Sequence, residues 1–284
     1  MRGSLTFSEA LAQVLREDEA SEKERRKDKP LAWYPSQLGS CVRRTVLEHS
    51  GVEGLPYDDR TLRLFWLGSA IHEALQGKFP FEVIGHEVEI NATDPAVRGR
   101  IDTVARIGPY TEAVEFKSVN SKKFGYPLPD PTHLLQIGCY LIFPAFASDG
   151  QRIKIDRARL VYWSKDDARI EEYIVERTPE LEQRVREHIL QLEESYQRYG
   201  LSGELPQALP RSDWRTRYCK YLGTGKCCGD KVIENPSGRD SDIGDSVPVQ
   251  QTTLGRDGDL GPEDGKIKLA KTKRSYARAR KVGA

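Results

Sequence analysis

Two short stretches, Gly99-Arg100-Ile101-Asp102 and Glu115-Phe116-Lys117, constrain this chain more than any other feature. Each reads as part of a β-strand, and the Gly108-Pro109 pair between them breaks the run as a hairpin connection does. Successive side chains of a strand alternate between faces, so Glu115 and Lys117 fall on one face and Val114 and Phe116 on the other. The hairpin then brings Asp102, Glu115 and Lys117 together. Two carboxylates make an oxygen-rich site for a hard divalent cation such as Mg²⁺ or Mn²⁺. An ammonium group beside them can orient a water or offset charge developing on a phosphate. Because 31% of the chain is charged, a solvated hairpin face would offer the same three residue types, and the surroundings have to decide.

Downstream, His133-Leu134-Leu135-Gln136-Ile137-Gly138-Cys139-Tyr140-Leu141-Ile142 is apolar all round and reads as a largely buried helix. Gln136 and Tyr140 stand four apart, hence on one helical face. A buried amide and a buried phenol need partners. Those partners are either each other or an active site and a nucleic-acid backbone. Upstream, Leu67-Gly68-Ser69-Ala70-Ile71-His72-Glu73-Ala74-Leu75 reads as an amphipathic helix that carries His72, either a packing residue or a metal ligand.

The order of these pieces, Gly-x-x-x-His, Gly-x-Ile-Asp, Glu-x-Lys and Gln-x-x-x-Tyr, resembles the RecB-like branch of the PD-(D/E)XK nucleases over roughly residues 33 to 230. The resemblance implies an α/β fold: a central mixed β-sheet of four or five strands flanked by helices, a restriction-endonuclease-like core. It implies that Asp102 and Glu115 are metal-binding carboxylates, with the backbone carbonyl of Phe116 and the His72 ring completing the cation site. Lys117 then helps activate water, and Gln136 and Tyr140 support the site and the DNA strand. The expected strands are 81–90, 97–107, 112–118 and 158–164, with helices over 60–76 and 131–145.

The five cysteines are Cys41, Cys139, Cys219, Cys227 and Cys228. No apolar stretch opens the chain as a signal peptide would, and no run is long enough to span a bilayer. The expectation is an intracellular, cytoplasmic protein with no membrane partner, where structural disulfides are rare. Cys139 lies inside the Gln136–Tyr140 helix as a small core residue. The other four lie at the two ends of the core. That layout resembles the iron–sulfur exonucleases linked to CRISPR adaptation, to AddB and to phage genomes. In them one N-terminal and three C-terminal cysteines hold a [4Fe–4S] cluster that joins the chain ends. The usual C-terminal spacing is Cys-x2-Cys-x5-Cys. Here Thr216 stands where the first cysteine is expected, Cys219 precedes Cys227 by eight positions, and Cys227 and Cys228 are adjacent. The resemblance makes Cys41, Cys219, Cys227 and Cys228 the ligands, while thiolate chemistry suits [4Fe–4S] and Zn²⁺ alike.

The domain reading follows. Residues 1–30 form an N-terminal helix and charged linker. Residues 31–232 form the nuclease domain with its cysteines, and 233–284 a disordered tail. The last part of that tail, 266–284, holds eight Lys or Arg residues and no acidic one. That composition suits a nucleic-acid arm, a solubilising tail, or a tail folding back on Asp240, Asp242 and Asp245. A helix is expected from Thr178-Pro179 to Gly200. With a net charge of +1, any attraction to DNA must come from local patches. No phosphate-binding GxxxxGK[ST] loop occurs, so a helicase or recombination partner would be a separate protein. The function expected is a Mg²⁺- or Mn²⁺-dependent exonuclease on single-stranded or free-ended DNA. The alternatives are a DNA-binding module with a vestigial site and a site-specific endonuclease.

Overall fold

The computed structural model describes residues 6–27, 30–227 and 269–271. Cys228, the stretch 236–265 and most of the basic tail lie outside these residues. The chain divides into two compact units. The first comprises Met1–Leu31, Gln37–Trp66 and Arg186–Lys266, and the second Ala32–Ser36, Leu67–Val185 and Ile267–Ala284.

The second unit is built on one mixed sheet. Its strands are β1 (Glu82–Thr93), β2 (Ala96–Ile107), β3 (Tyr110–Val119), β4 (Ala145–Phe146), β5 (Arg152–Ile153), β6 (Arg157–Ser164), β7 (Ile170–Val175) and β8 (Leu269–Lys271). They are ordered β5-β4-β1-β2-β3-β6-β7-β8. Only β3 and β6 pair in parallel; every other neighbour is antiparallel. The crossover between the parallel strands carries α4 (Pro131–Ile142), as a parallel pair requires. Asp130 caps α4 by accepting from the Thr132 N–H at 2.9 Å, and Pro131 opens it.

The expected α/β class and the expected strands hold, but the sheet has eight strands rather than four or five. The additions have little sequence signal, since β4 and β5 have two residues each. Strand β8 falls within the stretch expected to be disordered and pairs with β7, which would otherwise present an open edge. The hairpin is as expected: Ile107 faces Tyr110 across Gly108-Pro109, and Gly108 takes the positive φ of +62° that the turn needs. Val114 and Phe116 pack with Val161, Leu75 and Phe79, so the non-polar face of β3 is core.

Helices α1 (Phe7–Lys27), α2 (Val42–His49), α3 (Asp59–Gln76) and α5 (Pro179–Ser202) complete the fold. The charged run after residue 17 continues α1 rather than forming a linker. Helix α5 passes through Gly200 and stops at Gly203, whose φ of +71° accommodates the left-handed terminating residue. Gly138 on α4 permits close approach of α5, because a Cβ there would stand 2.7 Å from Val185 Cγ2. In the first unit Leu47, Cys219 and Tyr221 form a small core. Segments 39–57 and 205–227 are tied by hydrogen bonds: the Arg43 guanidinium donates to the carbonyls of Pro206 (2.6 Å) and Lys226 (3.2 Å), and the Leu55 N–H to that of Lys220 (2.7 Å). No helix among the described residues is long and apolar enough to cross a membrane.

Candidate active site

The second unit brings seven sequence-predicted residues, from four elements, to one place. On β3, Glu115 is 2% exposed. A buried carboxylate is tolerated only where donors surround it. Its Oε1 accepts from Lys117 Nζ at 2.7 Å and from Gln136 Nε2 at 2.7 Å, and its Oε2 accepts from the Tyr140 hydroxyl at 2.7 Å. Gln136 closes the ring: its Oε1 accepts from Lys117 Nζ at 2.8 Å, and its amide reaches the Tyr140 oxygen at 2.9 Å. The sequence left open whether Gln136 and Tyr140 pair with each other or serve a site. They do both.

Asp102 on β2 accepts from the Phe116 N–H through Oδ2 at 2.8 Å. That oxygen also lies 3.5 Å from His72 Nδ1, while the His72 ring meets Phe116 edge-on at 6.2 Å between centroids. Asp102 Oδ1 accepts no hydrogen bond among the described residues. Burial, followed by the charge of Glu115, pushes the Asp102 carboxyl up from 3.8 to about 8, against the Phe116 N–H and Lys117. Burial lowers His72, with Glu115 opposing, so the ring is neutral and able to ligate. Tyr140 is held well above its ordinary value by burial and by Glu115, which keeps its proton available to donate.

Three neighbours were not foreseen. Gln76 lies one turn beyond His72 on α3 and donates to the Asp102 carbonyl at 2.8 Å and to Glu87 at 3.2 Å. Their four-residue spacing is the signal that was available. Glu87 lies on β1 between the registered pairs His86–Thr103 and Val88–Ile101, level with Asp102, and carries a φ of +50°. No side-chain pattern announces that backbone. His133 precedes Gln136 and Tyr140 by three and seven residues, one polar stripe on an apolar helix. Its Nδ1 lies 2.9 Å from the Tyr162 hydroxyl, which also accepts from the Asp130 N–H at 2.9 Å. Burial, then the charge of Lys117, hold His133 down at about 3, so it is neutral. Burial would raise Asp130, but the 2.6 Å bond from Lys123 and the Thr132 donors outweigh it and hold the carboxyl at about 2.

Carboxylates crowded in a buried site suit a hard divalent cation. Were one bound, Asp102, Glu115, the Phe116 carbonyl and His72 are the residues expected to hold it. No three His, Cys, Asp or Glu side chains among the described residues converge on a single point. Both Glu115 oxygens are instead turned toward donors of their own chain.

Of the other candidates, Cys41, Cys219 and Cys227 all fall in the first unit. Cys41 is the buried N-cap residue of α2, and Cys219 and Cys227 bring their sulfurs to 3.8 Å. All three are free thiols, as is buried Cys139. Cys228 lies outside the described residues. The hydrogen bonds of the Arg43 side chain and the Leu55 N–H join the two segments that the cysteines were expected to join.

A mixed sheet presenting two carboxylates and a lysine from one hairpin, backed by a Gln–Tyr helix, marks an α/β nuclease. The model of the PD-(D/E)XK nuclease superfamily matches residues 7–224, and the chain belongs to that superfamily. Among solved structures it is similar to SSO0001, at 23% identity and a TM-score of 0.47 over 75% of this chain and 95% of that one. It is also similar to an alkaline exonuclease, LHK-Exo, from Laribacter hongkongensis, at 13% identity and a TM-score of 0.40 over 61% and 93%. The same enzyme in complex with dAMP aligns at 17% identity and a TM-score of 0.33 over 60% and 96%. No curated protein matches the chain.

Proposed function

We propose that the chain is a Mg²⁺- or Mn²⁺-dependent exonuclease acting on single-stranded or free-ended DNA. The observation that carries the nuclease chemistry is the closed network of Glu115, Lys117, Gln136 and Tyr140 beside an Asp102 that burial has made reluctant to ionise. A divalent cation held there lowers the pKa of a bound water and offsets charge on the scissile phosphate. The chain's own groups do the rest. Lys117 commits two of its three N–H donors to Glu115 and Gln136, which fixes the ammonium and leaves the third for a water or a phosphate oxygen. Gln136 and Tyr140 hold the carboxylate in one orientation. Gln76 and the Phe116 N–H hold Asp102 from two sides. The choice of free-ended DNA rests on the resemblance of the cysteine layout to the iron–sulfur exonucleases.

The same resemblance supports a [4Fe–4S] cluster on Cys41, Cys219, Cys227 and Cys228. A zinc staple is the second reading, and one observation favours it. Two thiolates bound at about 2.3 Å to one tetrahedral ion stand about 3.8 Å apart, the separation of the Cys219 and Cys227 sulfurs. Anaerobic metal analysis separates the two readings.

Purified protein is incubated with linear single-stranded, linear duplex and closed circular DNA, with Mn²⁺ or Mg²⁺. Degradation of linear DNA that spares circles and is lost in Asp102→Ala and Lys117→Ala is the expected outcome. Degradation that survives both substitutions overturns the site, and cutting of circles overturns the exonuclease reading in favour of an endonuclease.

A further inference from the structure

The first unit carries large aromatic side chains at its surface, which nothing in the nuclease chemistry uses. Phe65 is 45% exposed and Trp66 51% on α3, and Trp214 is 54% and Tyr218 38% exposed on the C-terminal segment. These rings do not float. Phe65 meets Tyr57 edge-on at 5.1 Å and Tyr218 at 6.4 Å, so a ring from each segment meets in one aromatic cluster, with Trp66 and Trp214 near it in sequence. Tyr57 is anchored in turn by Arg44 Nη2 at 3.2 Å. Trp214 and Tyr218 are four residues apart on a run of tight turns, in which the Arg217 N–H reaches the Trp214 carbonyl at 3.1 Å. A short helical turn begins this run, and Asp213 caps it by accepting from the Arg215 N–H at 2.9 Å.

Charge tells what the surface fits. Between Pro206 and Cys227 the chain holds Arg211, Arg215, Arg217, Lys220 and Lys226 against Asp213 alone, an excess of four cations in a protein whose net charge is +1. Arg211 and Arg217 are exposed on either side of Trp214. Rings interleaved with cations match a polyanion that offers flat faces at intervals. Within a duplex those faces are already stacked on one another. Only an unpaired strand can lay them on protein rings.

We propose that the first unit binds single-stranded DNA, with Phe65, Trp66, Trp214 and Tyr218 stacking on bases and Arg211 and Arg217 meeting phosphates. The choice of DNA over RNA rests on the nuclease reading above; the stacking and the charge do not. The surface gives the cysteine-bearing unit a task of its own, the binding of an unpaired strand. Cys219 follows Tyr218 directly and is buried beside Tyr221, so the small core beneath the surface is the one that contains the paired sulfurs.

The test is equilibrium binding of the full chain in EDTA, where no hydrolysis occurs. The probes are a labelled oligo(dT), an abasic strand of the same length and a blunt duplex, with thermal unfolding confirming that each variant is folded. Wild type is expected to prefer oligo(dT) over both other probes, with quenching of tryptophan emission. Trp214→Ala is expected to weaken oligo(dT) binding at least about fivefold, since each stacked base is worth that or more, and to leave abasic binding unchanged. Trp214→Phe keeps a ring and is expected to retain most of the affinity. Arg217→Ala is expected to lower the salt dependence by about one phosphate. Equal binding of oligo(dT) and the abasic strand overturns the proposal. So does unaltered binding by Trp214→Ala and Tyr218→Ala, or a change of oligomeric state in those variants, which would make the rings a contact between copies of the chain. A protein that binds as expected yet degrades no DNA with Mn²⁺ would defeat the nuclease reading and leave the surface standing. One that degrades DNA while Trp214→Ala binds normally would do the reverse.

Discussion

Removing one oxygen atom, in Tyr140→Phe, tests whether the buried ring of hydrogen bonds holds the site together. Tyr140 is 1% exposed, and its hydroxyl lies 2.7 Å from Glu115 Oε2 and 3.2 Å from the Arg100 carbonyl. The single phenolic proton goes to the carboxylate, the stronger and nearer acceptor. A hydrogen bond to a charged group contributes about 1.5–3 kcal/mol. The substitution leaves Oε2 buried without its donor, while Gln136 and Lys117 still serve Oε1. We expect a loss of about 2 kcal/mol, which lowers the unfolding midpoint by about 3 °C in a chain of this size. The second effect is on cation affinity. Groups that orient a ligand carboxylate are worth about 10–100-fold, so Mn²⁺ is expected to bind at least about tenfold more weakly. Calorimetric unfolding and Mn²⁺ titration measure the two quantities. A variant that unfolds at the wild-type temperature and binds Mn²⁺ equally well, or more tightly because Oε2 has been freed, refutes the reasoning.

Two further outcomes are expected. Folding raises the Asp102 carboxyl from 3.8 to about 8, so between these values the folded state holds a proton that the unfolded chain releases. For this group, stability of the metal-free protein is therefore fully present below about pH 4 and lost as pH rises toward about 8. A cation must displace that proton; Mn²⁺ should thus raise the midpoint more at pH 8.5 than at pH 6, and a pH-independent increment would refute the assignment. Gly138→Ala gains about 1 kcal/mol of helix propensity. Its Cβ would, however, stand 2.7 Å from Val185 Cγ2 and 3.1 Å from Leu181 Cδ1, both on buried side chains. Overpacking costs about 1–3 kcal/mol, so urea unfolding should show a net loss, and a stabilised variant would show that α5 yields.

What could be read from the sequence was what repeats along it. The two-residue alternation on β3 separated Glu115 and Lys117 from Val114 and Phe116, and the Gly108-Pro109 turn set the hairpin. The four-residue spacing put Gln136 and Tyr140 on one face. The same rule would have added Gln76 to the face of His72, and its three-residue companion would have added His133 to that stripe. What escaped depends on contacts distant in sequence. Tyr162 reaches His133 from a strand 29 residues away, which no local pattern announces. Glu87 owes its place to a left-handed backbone in β1, beyond a register shift between Val83 and Gly85. Strands β4 and β5 exist because β1 offers an edge, not because their residues are strong strand formers. Glu112 is fully buried, held by Arg157 and Arg159 from the parallel neighbour, partners 45 and 47 residues away that no local pattern links to it.

The order in which the two units are written into the chain sets the order in which a ribosome can finish them. Residues 67–185 of the second unit are continuous, whereas the first unit is split around them. Arg43 emerges early, yet the carbonyls it binds belong to Pro206 and Lys226, 163 and 183 residues later. At about 5–20 residues per second, that guanidinium waits on the order of ten to forty seconds for its partners. For the later part of that interval the hairpin with Asp102, Glu115 and Lys117 can already form. A nascent chain would therefore hold the residues of the candidate site before the C-terminal half of its aromatic surface has been made.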